Sequence, residues 1–385
     1  MGRRSGPLCG PWGALSVLAL GLLAPGLVGA GPAPLDLGEI LEPLRAEADL
    51  PALAALVIAD GCVAGQGAVG LRRAGGKDPV TLNDHFHIGS CTKSMSATMI
   101  ARLVDTGKLK WSQTLAQSLP GQEKSMRAEY REVTLAQVLA HRGGFPKETA
   151  PAGRTLVEIH ELPGAAPQQR KAYVALALRT PPEVEPGTRY LYSNMGYTVA
   201  GHVAEQATGR SWEALIRKWL FEPLGMKSAG FGAPGATGGA GQPWGHHRGA
   251  DGKLEPVKPG PRADNPPAIG PAGTVHCSIP DLGRFVLAHL KGARGEATRL
   301  SPGIFKGLHT PHRGQEYARG WIVVDRSWAG GKALTHAGSN TMWYTLIWIA
   351  PGRNAAFVVA TNYGGQGAFE ACDKTVGQLI GKFLR

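Results

Sequence analysis

The feature that most constrains this fold is the segregation of strand-like sequence to the two ends of the chain. Residues 53–58 are β-rich, Ala59-Asp60-Gly61 is a turn, and the pattern resumes as a second strand through Leu71, which together make a hairpin signal. Near the other end, 320–324, 334–335, 341–349 and 355–361 read as consecutive strands, with Pro351-Gly352 turning between the last two. Between these ends the apolar spacing is helical. Helices are expected at 37–48, 94–109, 135–139, 169–178, 196–207, 211–220 and 281–290, and a closing helix at 369–383. Strands at both termini imply one antiparallel sheet assembled from both, with a mostly helical domain inserted: an α+β chain. The sheet part is expected from 31–89 and about 279–385, the helical part from about 90–278. Residues 227–273 break the pattern, because Gly and Pro dominate and apolar periodicity disappears. A segment of that kind reads as a lid or binding loop.

Composition narrows the class. Of 385 residues, 43% are hydrophobic and 18% charged, the balance of a globular protein. The net charge of +12 is spread without a dense Lys/Arg run, which argues against a nucleic-acid partner. Residues 1–30 carry the marks of a secretory signal. Arg3 and Arg4 precede an apolar stretch at 14–23, and Val28-Gly29-Ala30 is a small-residue cleavage site. The stretch is short and interrupted, so no stable membrane span is expected after cleavage, and residues 31–385 are read as the exported, periplasmic or extracellular domain, with an uncleaved N-terminal anchor as the alternative. Cleavage leaves Cys62, Cys91, Cys277 and Cys372, which allow three full pairings or four free thiols.

Chemistry points first to Ser90-Cys91-Thr92-Lys93. The stretch before it is extended and the stretch after it helical, so Ser90 falls at a helix N-terminus with Lys93 one turn later on the same face. Free N–H groups and the positive end of the helix dipole favour an alkoxide at Ser90 and disfavour a charged Lys93. The second motif is Tyr192-Ser193-Asn194. A phenol close to a lysine ammonium can have a depressed pKa and then take a proton from a serine, while Asn194 offers both donors and acceptors. The third is His336-Ala337-Gly338-Ser339, expected at the start of a strand pair. Gly338 permits close approach of a ligand to the backbone, and the Ser339 N–H can point at an oxyanion.

In this order and spacing the three motifs resemble those of the serine β-lactamase and penicillin-binding superfamily, most of all its class C branch. Leu139-Ala140-His141-Arg142-Gly143-Gly144, Leu224-Gly225-Met226 and the run 278–285 add to the resemblance, which covers about 35–385. It implies a β-lactamase/transpeptidase-like fold and an acyl-enzyme mechanism without metal or cofactor. Ser90 attacks a carbonyl, Lys93 and Tyr192 relay the proton, and the N–H groups of Ser90 and Ser339 hold the oxyanion. Asn194 touches Lys93 and the acyl side chain, His336, Ala337 and Gly338 line the substrate, and Tyr192 serves as base in deacylation. The implied partner is a small ester, amide or peptidoglycan-type peptide, acted on by a monomer.

One departure bears on the substrate. β-Lactamases of this branch usually have Lys-Thr-Gly where this chain has His336-Ala337-Gly338. An unperturbed histidine is mostly neutral near pH 7, and alanine has no hydroxyl for a substrate carboxylate. A lost hydrogen bond to a charged group costs about 1.5–3 kcal/mol. Esterase or carboxypeptidase activity is therefore favoured over β-lactam hydrolysis, the alternative reading, and over a silent envelope-binding protein on the same fold. The pairs His85/His87, His246/His247 and His309/His312 lack a companion zinc motif, and the G-x-S-x-G of α/β-hydrolases is absent.

Overall fold

The computed structural model describes residues 33–236 and 241–384. The signal-like segment 1–30 lies outside the described residues. Among the described residues there are twelve strands: β1 (Leu35–Asp36), β2 (Ala52–Ala59), β3 (Cys62–Gly70), β4 (His85–His87), β5 (Gly230–Phe231), β6 (Gly245–Arg248), β7 (Leu254–Val257), β8 (Val275–Ser278), β9 (Ile322–Arg326), β10 (Gly331–Ser339), β11 (Tyr344–Ala350) and β12 (Ala355–Thr361). Seven of them form the main sheet in the order β1-β3-β2-β12-β11-β10-β9. The N-terminal hairpin thus joins the C-terminal strands through β2 against β12, where Leu53 pairs with Thr361 and Ala59 with Ala355. All pairings in this sheet are antiparallel except β1 with β3.

The central strands are apolar throughout because both faces of the sheet are covered. Along β2, Leu53, Ala55 and Val57 pack into the layer of the terminal helices Gly38–Glu47 and Ala368–Phe383. Their neighbours Ala52, Ala54, Leu56 and Ile58 pack into the larger helical layer on the other face. β12 alternates in the same way, with Phe357 and Val359 on one side and Val358 and Ala360 on the other. Among the described residues no helix is long and apolar enough to cross a membrane.

Several sequence expectations need correction. The 227–273 segment is not a structureless lid. It contains the β6–β7 hairpin, and its last part is a buried run of tight turns, Pro261–Ala263, Pro267–Ile269 and the helical turn Gly270–Gly273. That run packs on the helix Thr92–Asp105: Ser96 Oγ donates to Pro271 O (2.7 Å), and Val275 N–H donates to Thr92 Oγ1 (3.1 Å). Proline- and glycine-rich sequence hides this because its contacts are made by carbonyls, which leave no pattern of side chains. β10 is also longer than the two residues expected, and it places Gly338-Ser339 at its end rather than at a start. Helix 211–220 divides into Trp212–Ile216 and a π-helical turn, Arg217–Phe221. Cys91, Cys277 and Cys372 are buried free thiols, so none of the three full pairings of four cysteines forms.

A directed hydrogen-bond chain ties the helix Thr92–Asp105 to the layer behind it. Thr98 on that helix donates to Ser94 O (2.7 Å), so its oxygen must accept from His289 Nε2 at 3.0 Å. His289 Nδ1 then accepts from His309 Nε2 at 2.9 Å. The arrangement needs a neutral His289, and burial lowers both rings, His309 to about 3. The unfolded chain takes up protons near the ordinary histidine pKa of about 6.5, whereas the folded chain does so only far below it. The stability this network contributes is therefore complete above about pH 6.5 and declines as pH falls toward about 3, by up to about 1.4 kcal/mol per pH unit per histidine. Urea unfolding of wild type and His289→Phe at pH 6 and pH 4.5 checks this. The wild type is expected to lose more stability across the interval than the variant, by about one proton's worth of slope; equal slopes would contradict it.

Candidate active site

Ser90 lies in a single 3-10 turn, Gly89–Cys91, that runs directly into the helix Thr92–Asp105. Lys93, one turn on, is completely buried. Its Nζ lies 3.0 Å from Ser90 Oγ, 2.7 Å from Asn194 Oδ1 and 2.7 Å from Ala272 O. Tyr192 donates its hydroxyl to Ser90 Oγ at 2.6 Å. Asn194 begins the helix Asn194–Thr208 and donates its Nδ2 to Thr149 Oγ1 (2.9 Å), which fixes the amide with its oxygen toward Lys93. Ser90, Lys93, Tyr192 and Asn194, far apart in sequence, are thus brought into one hydrogen-bonded cluster.

Burial pulls the Lys93 ammonium down to about 7. The sequence pointed in this direction through the helix dipole, but the leading cause is desolvation. Half the lysine is then a neutral amine at neutral pH. A neutral amine has two N–H bonds and one lone pair. The two carbonyl oxygens of Asn194 and Ala272 can only accept, so they take the two N–H bonds, and the lone pair is left for the Ser90 hydroxyl. Tyr192 differs from expectation. Its phenol is not depressed; burial raises it above its ordinary value, and the hydrogen bond to Ser90 offsets only part of that. Tyr192 is a proton donor in this structure.

The third motif approaches from the sheet. β9 pairs with β10 only over Gly331–Thr335, which leaves the outer edge of His336–Ser339 without a strand partner, while the turn that carries Ser90 packs on the face of β10 at Gly338. Contact there is backbone to backbone. A Cβ on Gly338 would lie 2.1 Å from Ile88 O and 2.6 Å from Ser90 N, and a Cβ on Gly89, whose φ is +48°, would lie 2.3 Å from Ser339 N. Only glycine permits this approach from either side, and it brings the amides of Ser90 and Ser339 to the two sides of one contact.

The two side chains before Gly338 make contacts within the protein. His336 is buried, and burial with the nearby Lys93 charge lowers it to about 4. Its Nδ1–H donates to Ala337 O (2.7 Å), and its Nε2 accepts from Tyr317 OH at 3.2 Å. Ala337 points to the opposite face of the sheet, into the terminal-helix layer. The sequence reading did not include Tyr317, Thr149 or the carbonyl of Ala272. His141 was noted only as part of a motif. It accepts the Ser193 N–H on Nδ1 (3.0 Å), its ring lies 4.5 Å from that of Tyr192, and burial keeps it neutral. Such a ring holds the Tyr192-Ser193-Asn194 turn in place. The candidate zinc histidines are committed elsewhere. His85 stacks on His276, His246 accepts from Ala74 N–H, and His309 donates to His289.

Comparison with known proteins agrees with this geometry. The beta-lactamase family model matches residues 37–381. Penicillin-binding protein 4 of Amycolatopsis lactamdurans is 26% identical over 361 residues, 89% of each chain. The D-alanyl-D-alanine-carboxypeptidase/endopeptidase AmpH of Escherichia coli is 27% identical over 173 residues, 45% of this chain and 43% of AmpH. The fold of a class C beta-lactamase superposes with a TM-score of 0.70 at 20% identity, covering 89% of this chain and 94% of that one. With its sheet built from both ends and its Ser90 cluster at the junction of the two layers, the chain belongs to the beta-lactamase family and is a serine hydrolase.

Proposed function

We propose that this chain is an exported acyl-enzyme hydrolase of ester, amide or D-amino-acid peptide bonds, with Ser90 as nucleophile and Lys93 as its base. The observation that carries the reading is the proton inventory at Lys93, whose lone pair is left facing Ser90 Oγ at 3.0 Å. Ser90 Oγ bonds to the carbonyl carbon as its proton passes to the Lys93 amine. The carbonyl oxygen takes the negative charge between the N–H groups of Ser90 and Ser339. Tyr192 gives its proton to the departing oxygen or nitrogen and is replenished from the Lys93 ammonium. Water then attacks the Ser90 ester, its proton returning through the same pair, and the acid leaves. Asn194 holds Lys93 in register, and the open edge of His336–Ser339 offers extended backbone along which a peptide substrate can lie. Export rests on the sequence of residues 1–30.

Among substrates, small esters and D-alanyl peptides are favoured over β-lactams. A neutral, internally bonded His336 supplies no cation for a carboxylate beside the scissile bond, and Ala337 supplies no hydroxyl. The name of the similar D-alanyl-D-alanine-carboxypeptidase supports D-alanyl peptides.

Ser90→Ala is expected to stay folded, to lose fluorophosphonate labelling, and to retain less than about one part in a thousand of turnover; labelling at another residue would refute the assignment. The acid limb of kcat/KM is expected to follow Lys93, rising with pH through about 7 as the amine loses its proton, with less activity below. Lys93→Arg, cationic at all working pH, is expected to lower kcat about a hundredfold or more, and Tyr192→Phe similarly; a flat profile from pH 5 to 8 would exclude Lys93 as base. Finally, kcat/KM for p-nitrophenyl acetate or a D-Ala-D-Ala peptide is expected to exceed that for nitrocefin. Ala337→Thr is expected to leave the ratio unchanged, because its side chain faces the other layer. A preference for nitrocefin would make the protein a β-lactamase.

A further inference from the structure

The amides of Ser90 and Ser339 belong to elements that share no hydrogen-bonded ladder, yet catalysis by an oxyanion site needs them held at a fixed spacing. One carboxylate touches residues adjoining both. Asp264 lies in the Gly/Pro-rich segment and is buried. Its Oδ1 accepts from Asn340 Nδ2 at 3.0 Å and from Asn265 N–H at 2.7 Å, and it lies 2.8 Å from His87 Nε2. The histidine contact is close without being aligned as a hydrogen bond. Asn340 directly follows Ser339, and its own Oδ1 accepts the Met342 N–H (3.2 Å), closing the turn after β10. On the other side, His87 Nδ1 accepts the Gly89 N–H at 3.1 Å, and Gly89 directly precedes Ser90.

The tautomer follows from these contacts. Nδ1 accepts the Gly89 N–H, so the ring N–H sits on Nε2, facing the Asp264 carboxylate. Reversing the tautomer would point Nδ1–H at the Gly89 N–H and push apart the turn that carries Ser90. Asp264 Oδ2 is buried without a partner among the described residues, a cost that a residue serving only as scaffold would not need.

We infer that Asp264, bridging His87 and Asn340, is a positioning residue that sets the spacing of the two oxyanion amides. The inference rests on the Ser90 acyl-enzyme reading. It also gives the 227–273 segment a role in catalysis distinct from that of a lid, since Ala272 O from the same segment holds Lys93.

Asp264→Asn is the informative change, because it keeps the shape and replaces an obligate acceptor with a group that can present N–H to His87. Measurements are kcat and KM on a neutral ester, affinity for a phenylboronic acid, which forms a tetrahedral adduct on Ser90, and thermal midpoint. First, fluorophosphonate labelling of wild-type Ser90 is established; its absence would overturn the hydrolase reading and this inference together. With labelling present, Asp264→Asn is expected to lower kcat and boronate affinity together, by about tenfold to a hundredfold, with KM changed less than about threefold. His87→Ala/Asp264→Asn is expected to be little worse than His87→Ala alone, because the residues act as one unit. Asn340→Ala breaks the clamp from the strand side and is expected to act in the same direction; it decides the matter if Asp264→Asn does not fold. Unchanged kcat and boronate affinity in a folded variant, with only the thermal midpoint lowered, would overturn the inference while leaving the Ser90 reading intact.

Discussion

A lysine amine sealed from water and surrounded by acceptors is the interaction on which the rest of the site depends. Burying a full ammonium is costly unless every N–H is met. Here Asn194 Oδ1, Ala272 O and Ser90 Oγ meet them, each from a different part of the chain. The compromise is a lysine poised near neutrality. A more exposed amine would stay charged, and one without the two carbonyls would have no reason to aim its lone pair at the serine. Tyr192, raised rather than lowered by the same burial, is then available to give a proton rather than to take one.

The fold supplies this environment by making distant segments converge. β2 against β12 joins the two ends of the chain and fixes β10 two strands away. The end of β10 abuts the turn carrying Ser90 through two glycines, so the sheet itself forms one wall of the site. The helical layer contributes Asn194 and Tyr192, and the turns at 261–273 contribute the Ala272 carbonyl. The histidine chain from Ser94 to His309 anchors the helix Thr92–Asp105 from behind. The bonds of Lys93 to Asn194 and Ala272 and of Thr98 to His289 join residues far apart in sequence.

What was legible in the sequence is what side-chain pattern encodes. The strands at both termini, the helix after Ser90, and the three motifs with Ser90, Lys93, Tyr192, Asn194 and Gly338 carry periodic or compositional signals, and these residues do meet. What was not legible is what backbone and burial decide. Ala272 acts through a carbonyl, and any residue has one. Ala337 was expected to line the substrate, but strand alternation sends it to the other face once β10 is known to run through Ser339. Asp264 lay inside a stretch whose Gly and Pro content reads as loop, and its partners His87 and Asn340 are 177 and 76 residues away. The depressed phenol expected for Tyr192 needed a charged lysine beside it, and the depth of the burial that removes that charge has no sequence signature.

The central claim is that Lys93 is neutral enough at physiological pH to act as a base. NMR titration of the protein labelled at lysine Cε, with Lys93 assigned from its loss in Lys93→Arg, measures this directly. A midpoint near 7 is the predicted result. A midpoint near the ordinary lysine value of about 10.4 would contradict the account, because the amine would then be a cation throughout and the serine would have no base beside it.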